Sequence, residues 1–191
     1  MTRGNVGWIA LCCLTLGAGA CAHKEGADMA PQAPEGTNTA VRPSTPLQCT
    51  MSVPAKVKAG QPVEVAFQLN NPTAEPQYVL TWNTPLEGLK NNILEVSHAG
   101  ADTELPYQGP MFKRGEPAAD NYVTVAPGSS VEGKIDASLA YDFSQPGTYR
   151  IAFRGPIMDV TTKQAEVPRA LAQHRAMPVE CPTIETTIAA P

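Results

Sequence analysis

Cys21 directly follows Ala18-Gly19-Ala20, and a small-residue run ending at a cysteine is a site of proteolytic processing and thiol chemistry. Ordinary signal-peptidase cleavage after Ala20 would leave a free thiol at Cys21. Lipoprotein processing would cut the same bond and acylate that sulfur. The chain has five cysteines, and Cys12 and Cys13 would leave with the leader, so that Cys21, Cys49 and Cys181 remain. An odd cysteine is awkward in an exported protein. Lipidation of Cys21 removes the imbalance and leaves Cys49 to pair with Cys181. Ala18 departs from the Leu commonest at that place in such sites. Ala22 is not the Asp that retains a lipoprotein in an inner membrane. The expectation is an exported, lipid-anchored envelope protein, in the outer membrane if the cell is Gram-negative.

The other reactive side chains do not assemble into a catalytic motif. The histidines are His23, His98 and His174. None sits in an HExxH motif, where two imidazoles one helical turn apart would hold zinc around a general base. His23 reads as a solvated linker residue, and His98 and His174 as strand-end or turn residues. No GxSxG elbow, Walker loop or Cys-x-x-Cys occurs. The thioethers of Met111, Met158 and Met177 suit copper, but they stand apart and read as core or loop filling. The acidic residues are scattered. A net charge of -4 with no basic stripe argues against nucleic acid. The expectation is a protein without enzymatic activity and without a cofactor.

These groups are carried by three kinds of segment. Arg3 and the amino terminus open a positive leader, residues 1–20, whose apolar stretch of 15 residues (6–20) is too short to span a bilayer. Residues 21–47 are rich in Pro and Ala, with no aromatic residue and no apolar period. Such a segment cannot bury enough surface to offset its ordering entropy. As a flexible coil it would hold a domain on the order of 30 Å from the membrane. Residues 48–188 make one domain, long enough for a real core.

Within that domain strict alternation dominates. Val63, Val65, Phe67 and Leu69 share one face, as do Val131, Ile135, Ala137 and Leu139, and again Tyr149, Ile151 and Phe153. Period two with one wet face predicts antiparallel strands. Turn signals at "AGQP", "NNPTAEP", "APGSS" and "SQPG" fall at β-sandwich spacing. "VPRALAQHRAM" is the best helix candidate, and it is short. "YDFSQPGTYRIAF" resembles the end of an immunoglobulin-like domain, where a Gly-x-Tyr opens a late strand. The fold expected is all-β, an immunoglobulin-like antiparallel β-sandwich. A Cys49–Cys181 bond would staple its two ends, worth about 4 kcal/mol at most in the chain-entropy model.

Five stretches, "VPAKVKAGQPVEVAFQLNN", "YVLTWNTPLEGL", "YQGPMFKRGEP", "YVTVAPGSSV" and "AYDFSQPGTYRIAF", resemble the amino-terminal, propeptide-type domain of the deuterolysin-like (aspzincin, peptidyl-Lys) zinc metalloendopeptidases. The resemblance covers about residues 51–159, and "WNTPLEGL" and "GPMFKRGEP" are its most specific pieces. In that family the domain precedes a catalytic domain carrying HExxH and a downstream zinc-binding Asp. This sequence has no positions matching those ligands, so the resemblance implies the pro-domain standing alone. It also implies a partner, a secreted metalloprotease that the module inhibits or helps to fold. The alternative is a scaffold β-sandwich of the envelope, without such a partner.

The candidate partner surface lies in the two stretches poorest in strand pattern. Leu86 and Leu89 sit where a solvated loop is expected, between Pro85 and the chain beyond Gly88. Met111 and Phe112 suit the apolar centre of an interface. Lys113, with Arg114 as the nearby alternative, suits the acidic pocket of a lysine-specific protease. The competing reading has Leu86, Leu89 and Phe112 tucked onto the core as caps of the sandwich, with Lys113 and Arg114 merely solvated.

Overall fold

Alternation in residues 63–69 becomes the central strand of the fold. The structure is a computed structural model and describes residues 46–101 and 103–190. The expected leader, Cys21, His23 and the linker as far as residue 45 lie outside the described residues. Leu47, assigned to the linker by sequence, is buried in the core, so the domain begins earlier than expected.

The strands are β1 (Gln48–Ser52), β2 (Lys56–Lys58), β3 (Glu64–Asn70), β4 (Gln77–Leu80), β5 (Leu94–His98), β6 (Tyr122–Val125), β7 (Ser130–Asp136), β8 (Gly147–Phe153), β9 (Val160–Thr161) and β10 (Ile184–Ala189). One sheet has the order β1-β3-β7 and a second β2-β10-β8-β5. A third, small sheet is β6-β4-β9. Every pairing is antiparallel except β2 with β10, which is parallel. In this arrangement β1, β3 and β7 take the A, B and E places of an immunoglobulin-like sandwich, and β5, β8 and β10 take C, F and G. The Tyr149 hydroxyl donates to the Gln145 carbonyl at 2.8 Å, the corner such folds place at the start of strand F. The fold is an all-β, immunoglobulin-like sandwich.

Val63, Val65, Phe67 and Leu69 are fully buried, as are Leu94, Val96, Tyr149 and Ile151 from the facing sheet. Phe67 meets Phe153 with ring centroids 5.1 Å apart, and Phe143 meets Tyr149 at 4.8 Å. Cys49 and Cys181 are joined by a disulfide, their Cα atoms 4.8 Å apart. The bond fastens β1 to the segment that enters β10.

One expectation from periodicity fails. Leu139 is 73% exposed rather than on the core face. Asp136 ends β7 by accepting from the Ser138 amide at 3.0 Å, which starts a 3-10 turn at Ala137–Leu139 and breaks the period. The segment "VPRALAQHRAM" forms no α-helix; its only helical turn is the 3-10 turn Leu171–Gln173. Pro168 and Pro178 lack amide donors, and the cation of Arg169 is drawn inward to a buried carboxylate instead.

Candidate functional site

Thr84 explains why the chain turns after β4. Its hydroxyl donates to the Thr81 carbonyl at 2.6 Å and accepts from the Leu86 amide at 3.2 Å, capping a 3-10 turn at Pro85–Glu87. Pro85 suits the first turn position because its missing amide would have no partner there. Gly88 closes the turn at φ +86, a conformation that side chains rarely adopt. The turn lies on β7 at Gly133. A Cβ on Gly133 would stand 2.4 Å from the Pro85 carbonyl oxygen and 2.8 Å from the Leu86 nitrogen. Leu86 and Leu89 are part-buried and pack on the core. The leucines of the presumed loop therefore help to close the sandwich.

The second segment, residues 107–117, is fastened to the first. Tyr107 donates to the Pro110 carbonyl at 2.8 Å. The Phe112 amide is shared between the Lys90 carbonyl and the Asn91 Oδ1, each at 3.1 Å. Arg114 donates to Glu87 Oε1 at 2.5 Å, with their side chains only 20% and 6% exposed. The same carboxylate oxygen accepts from the Asn83 amide at 2.8 Å. The guanidinium also lies over Trp82, 5.1 Å from the ring centroid, and 5.9 Å from that of Phe112. Beyond it, Glu116 accepts from the Leu171 amide at 2.9 Å, and Pro117 is buried.

Met111 is left 71% exposed and Phe112 52% exposed, with Lys113 exposed beside them. Lys90 Nζ stands 5.9 Å from the Phe112 ring centroid. Next to the tip is a hollow of about 410 Å³ whose lining includes Asn83, Asn91, Met111, Phe112, Arg114 and Met158. Asn91 donates to Asn83 Oδ1 at 2.7 Å and Asn83 donates to Met158 Sδ at 3.1 Å, so these amides brace the hollow.

The six residues singled out for a partner thus separate. Met111, Phe112 and Lys113 form one exposed tip. Arg114 is a correction: its cation is neutralised by Glu87 and stacked on Trp82, so it fixes the loop instead of offering itself. Leu86 and Leu89 lie in the turn that this loop is bolted to, on the same side of the molecule, but they serve packing.

Sequence reasoning missed a buried polar hub. Asp159 is fully buried; Oδ1 accepts from Arg169 Nη1 at 2.8 Å and from the Arg175 amide at 2.9 Å, and Oδ2 accepts from the Tyr122 hydroxyl at 2.8 Å. Arg169 also donates to Glu166. Burial, reinforced by the bond to Asp159, pushes the Tyr122 phenol up to about 12. The Arg169 guanidinium pulls the Glu166 carboxyl down to about 2. The hub fastens the long segment between β9 and β10. No local pattern joins Asp159 to Arg169. Among the described residues no three His, Cys, Asp or Glu side chains are grouped to hold a metal. His98 ends β5 with its ring 4.1 Å from that of Tyr149, and His174 Nε2 lies 3.2 Å from the Arg169 carbonyl oxygen.

No protein-family model and no curated protein matches the chain. Among solved structures it is similar to the CARDB domain of the PF1109 protein from Pyrococcus furiosus, determined in complex with di-metal ions. There the identity is 12%, the match covers 74% of this chain and 91% of that one, and the TM-score is 0.30. Pseudomonas fluorescens alkylpurine DNA glycosylase AlkC, bound to DNA containing an abasic site analog, matches at 11% identity over 77% of this chain and 31% of that one, with a TM-score of 0.35. A β-glucosidase from Listeria innocua in complex with glucose matches at 12% identity over 84% of this chain and 21% of that one, with a TM-score of 0.32. Likenesses this remote carry no function to this chain.

Proposed function

We propose that this chain is a non-catalytic, lipid-tethered envelope module whose 109–117 loop binds a protein partner. The partner class proposed is a secreted zinc metalloprotease of the aspzincin type, which the module inhibits or helps to fold. One observation carries the reading: two large apolar side chains, Met111 at 71% and Phe112 at 52% exposure, stand beside Lys113 on a loop fastened along its length. Exposed apolar groups on a restrained loop suit an interface, because a loop already held in shape loses little entropy on docking. The resemblance of "WNTPLEGL" and "GPMFKRGEP" to aspzincin pro-domain sequence supports the choice of partner. Lys113 is the side chain assigned to the acidic pocket, where a desolvated ammonium requires a negative counter-charge.

The test uses the purified full-length protein and an aspzincin-type protease of the same organism. Binding or altered protease activity is expected, and Lys113→Ala should weaken binding by a few kcal/mol, about what a central contact contributes, with the melting temperature unchanged. No binding and no effect on the protease would discard the reading. Anchorage is tested by Cys21→Ser, which should release the protein from membranes. Wild-type protein found soluble, with unmodified Cys21, would refute the lipid.

A further inference from the structure

The cations around the Phe112 tip fall into two groups. Arg114 is paired with Glu87, and Arg154 is paired with Glu95 at 3.5 Å and Glu104 at 2.5 Å. Lys90 and Lys113 have no ion-pair partner among the described residues. The acidic side chains nearest along the two loops are occupied: Glu87 holds Arg114 and the Asn83 amide, and Glu116 holds the Leu171 amide. Lys90 is instead poised over the Phe112 ring at 5.9 Å. The tip therefore presents an apolar centre, Met111 and Phe112, with Lys90 over the Phe112 ring and Lys113 next to Phe112 in the chain, neither in an ion pair among the described residues.

We infer that this surface binds an acidic face of its protein partner, with Lys90, which no sequence signal marks, as a second cationic contact beside Lys113. The inference rests on the reading of the 109–117 loop as a protein-binding surface. Covering Phe112 takes water from both lysines. Against a neutral or basic face that loss is uncompensated, and against carboxylates it is repaid by charge pairing. The attraction of Lys90 to the ring strengthens on desolvation, so docking holds the ammonium at the rim of the apolar contact. Lys113 is carried on the same fastened loop, next to Phe112 in the chain. The partner's complementary feature is an apolar hollow with carboxylates at its rim.

The probe is a hexapeptide of two leucines flanked on each side by two glutamates, titrated into isotope-labelled full-length protein. Peptides with glutamine or lysine in place of glutamate are the comparisons. The acidic peptide should shift the Lys90, Phe112 and Lys113 amide resonances, and its affinity should fall about tenfold on moving from low to high salt. Lys90→Glu and Lys113→Glu should each weaken it about tenfold, while Lys56→Glu on β2 leaves it unchanged. Lys90→Gln serves if the charge reversal unfolds the protein. Equal binding of the glutamine peptide, shifts located elsewhere, or indifference to Lys90 would overturn the inference. If no aspzincin-type protease binds but the acidic peptide still docks at Phe112, the metalloprotease reading falls and this one stands. If a protease binds through Lys113 but is indifferent to Lys90→Glu and to salt, the reverse holds.

Discussion

Gly133→Ala should destabilise the fold through the sequence-distant Pro85–Glu87 turn, although Gly133 is in a strand and needs no unusual backbone angle. The added Cβ would stand 2.4 Å from the Pro85 oxygen and 2.6 Å from its carbonyl carbon, where ordinary contacts begin at 3.4 Å. These are backbone atoms and cannot swing aside. The Pro85–Glu87 turn must lift from β7 by about 1 Å, the shortfall between those distances, and Leu86 lifts with it. Overpacking of this kind costs about 1–3 kcal/mol. Removing a glycine restrains the unfolded chain and returns about 0.4–1 kcal/mol. The net loss is about 1–2 kcal/mol, or roughly 3–8 °C in melting temperature for a domain of this size. Denaturant unfolding followed by circular dichroism measures it directly. Gly115→Ala is the control: nothing lies within 4 Å of its added Cβ, and its stability should change by less than about 0.5 kcal/mol. A Gly133→Ala protein as stable as the wild type would refute the account of the "TPLEGL" segment as a turn packed on the sheet.

Removing the disulfide by Cys49→Ala with Cys181→Ala should cost about 2–5 kcal/mol, read from the same unfolding curves, and thiol titration of the unreduced, unfolded domain should find neither Cys49 nor Cys181 free. Stability should fall in alkali, because Tyr122 and Tyr141 are pushed up to about 12, both chiefly by burial. Their neutral forms are favoured in the fold, so that contribution is complete below the ordinary phenol value of 10.0 and disappears between there and about 12. Tyrosinate absorbance that rises fully before unfolding begins would contradict it. At the acid end the sign reverses: Glu166, pulled from 4.5 to about 2 by Arg169, contributes above 4.5 and ceases to as pH falls toward 2, so Glu166→Gln should flatten that limb of the stability profile.

The sequence by itself determined the sandwich face of β3, because alternate side chains of an extended strand point to opposite sides whatever the strand pairs with. It pointed to the Cys49–Cys181 pair on the expectation that Cys12 and Cys13 leave with a leader and Cys21 carries lipid, because counting cysteines needs no geometry, and the disulfide is present in the fold. It also marked Met111, Phe112 and Lys113, whose flanking Gly and Pro residues signal a loop. Tertiary structure decided what long-range contact decides. Leu139 continues the apolar period of β7, yet the Asp136 carboxylate ends the strand and turns it outward. For Leu86 and Leu89 the sequence left a partner contact and a cap on the core both open, and Gly133, which provides the gap into which their turn fits, decides for the cap. Arg114 and Lys113 are adjacent cations, and only the approach of Glu87 makes Arg114 a part-buried brace while Lys113 stays exposed. Asp159 and Arg169 find each other inside the fold, where an unpaired charge would be costly and a paired one can stay. Strand periodicity is written in neighbouring residues, whereas the partner of a charge or the gap beside a glycine exists only after distant segments meet.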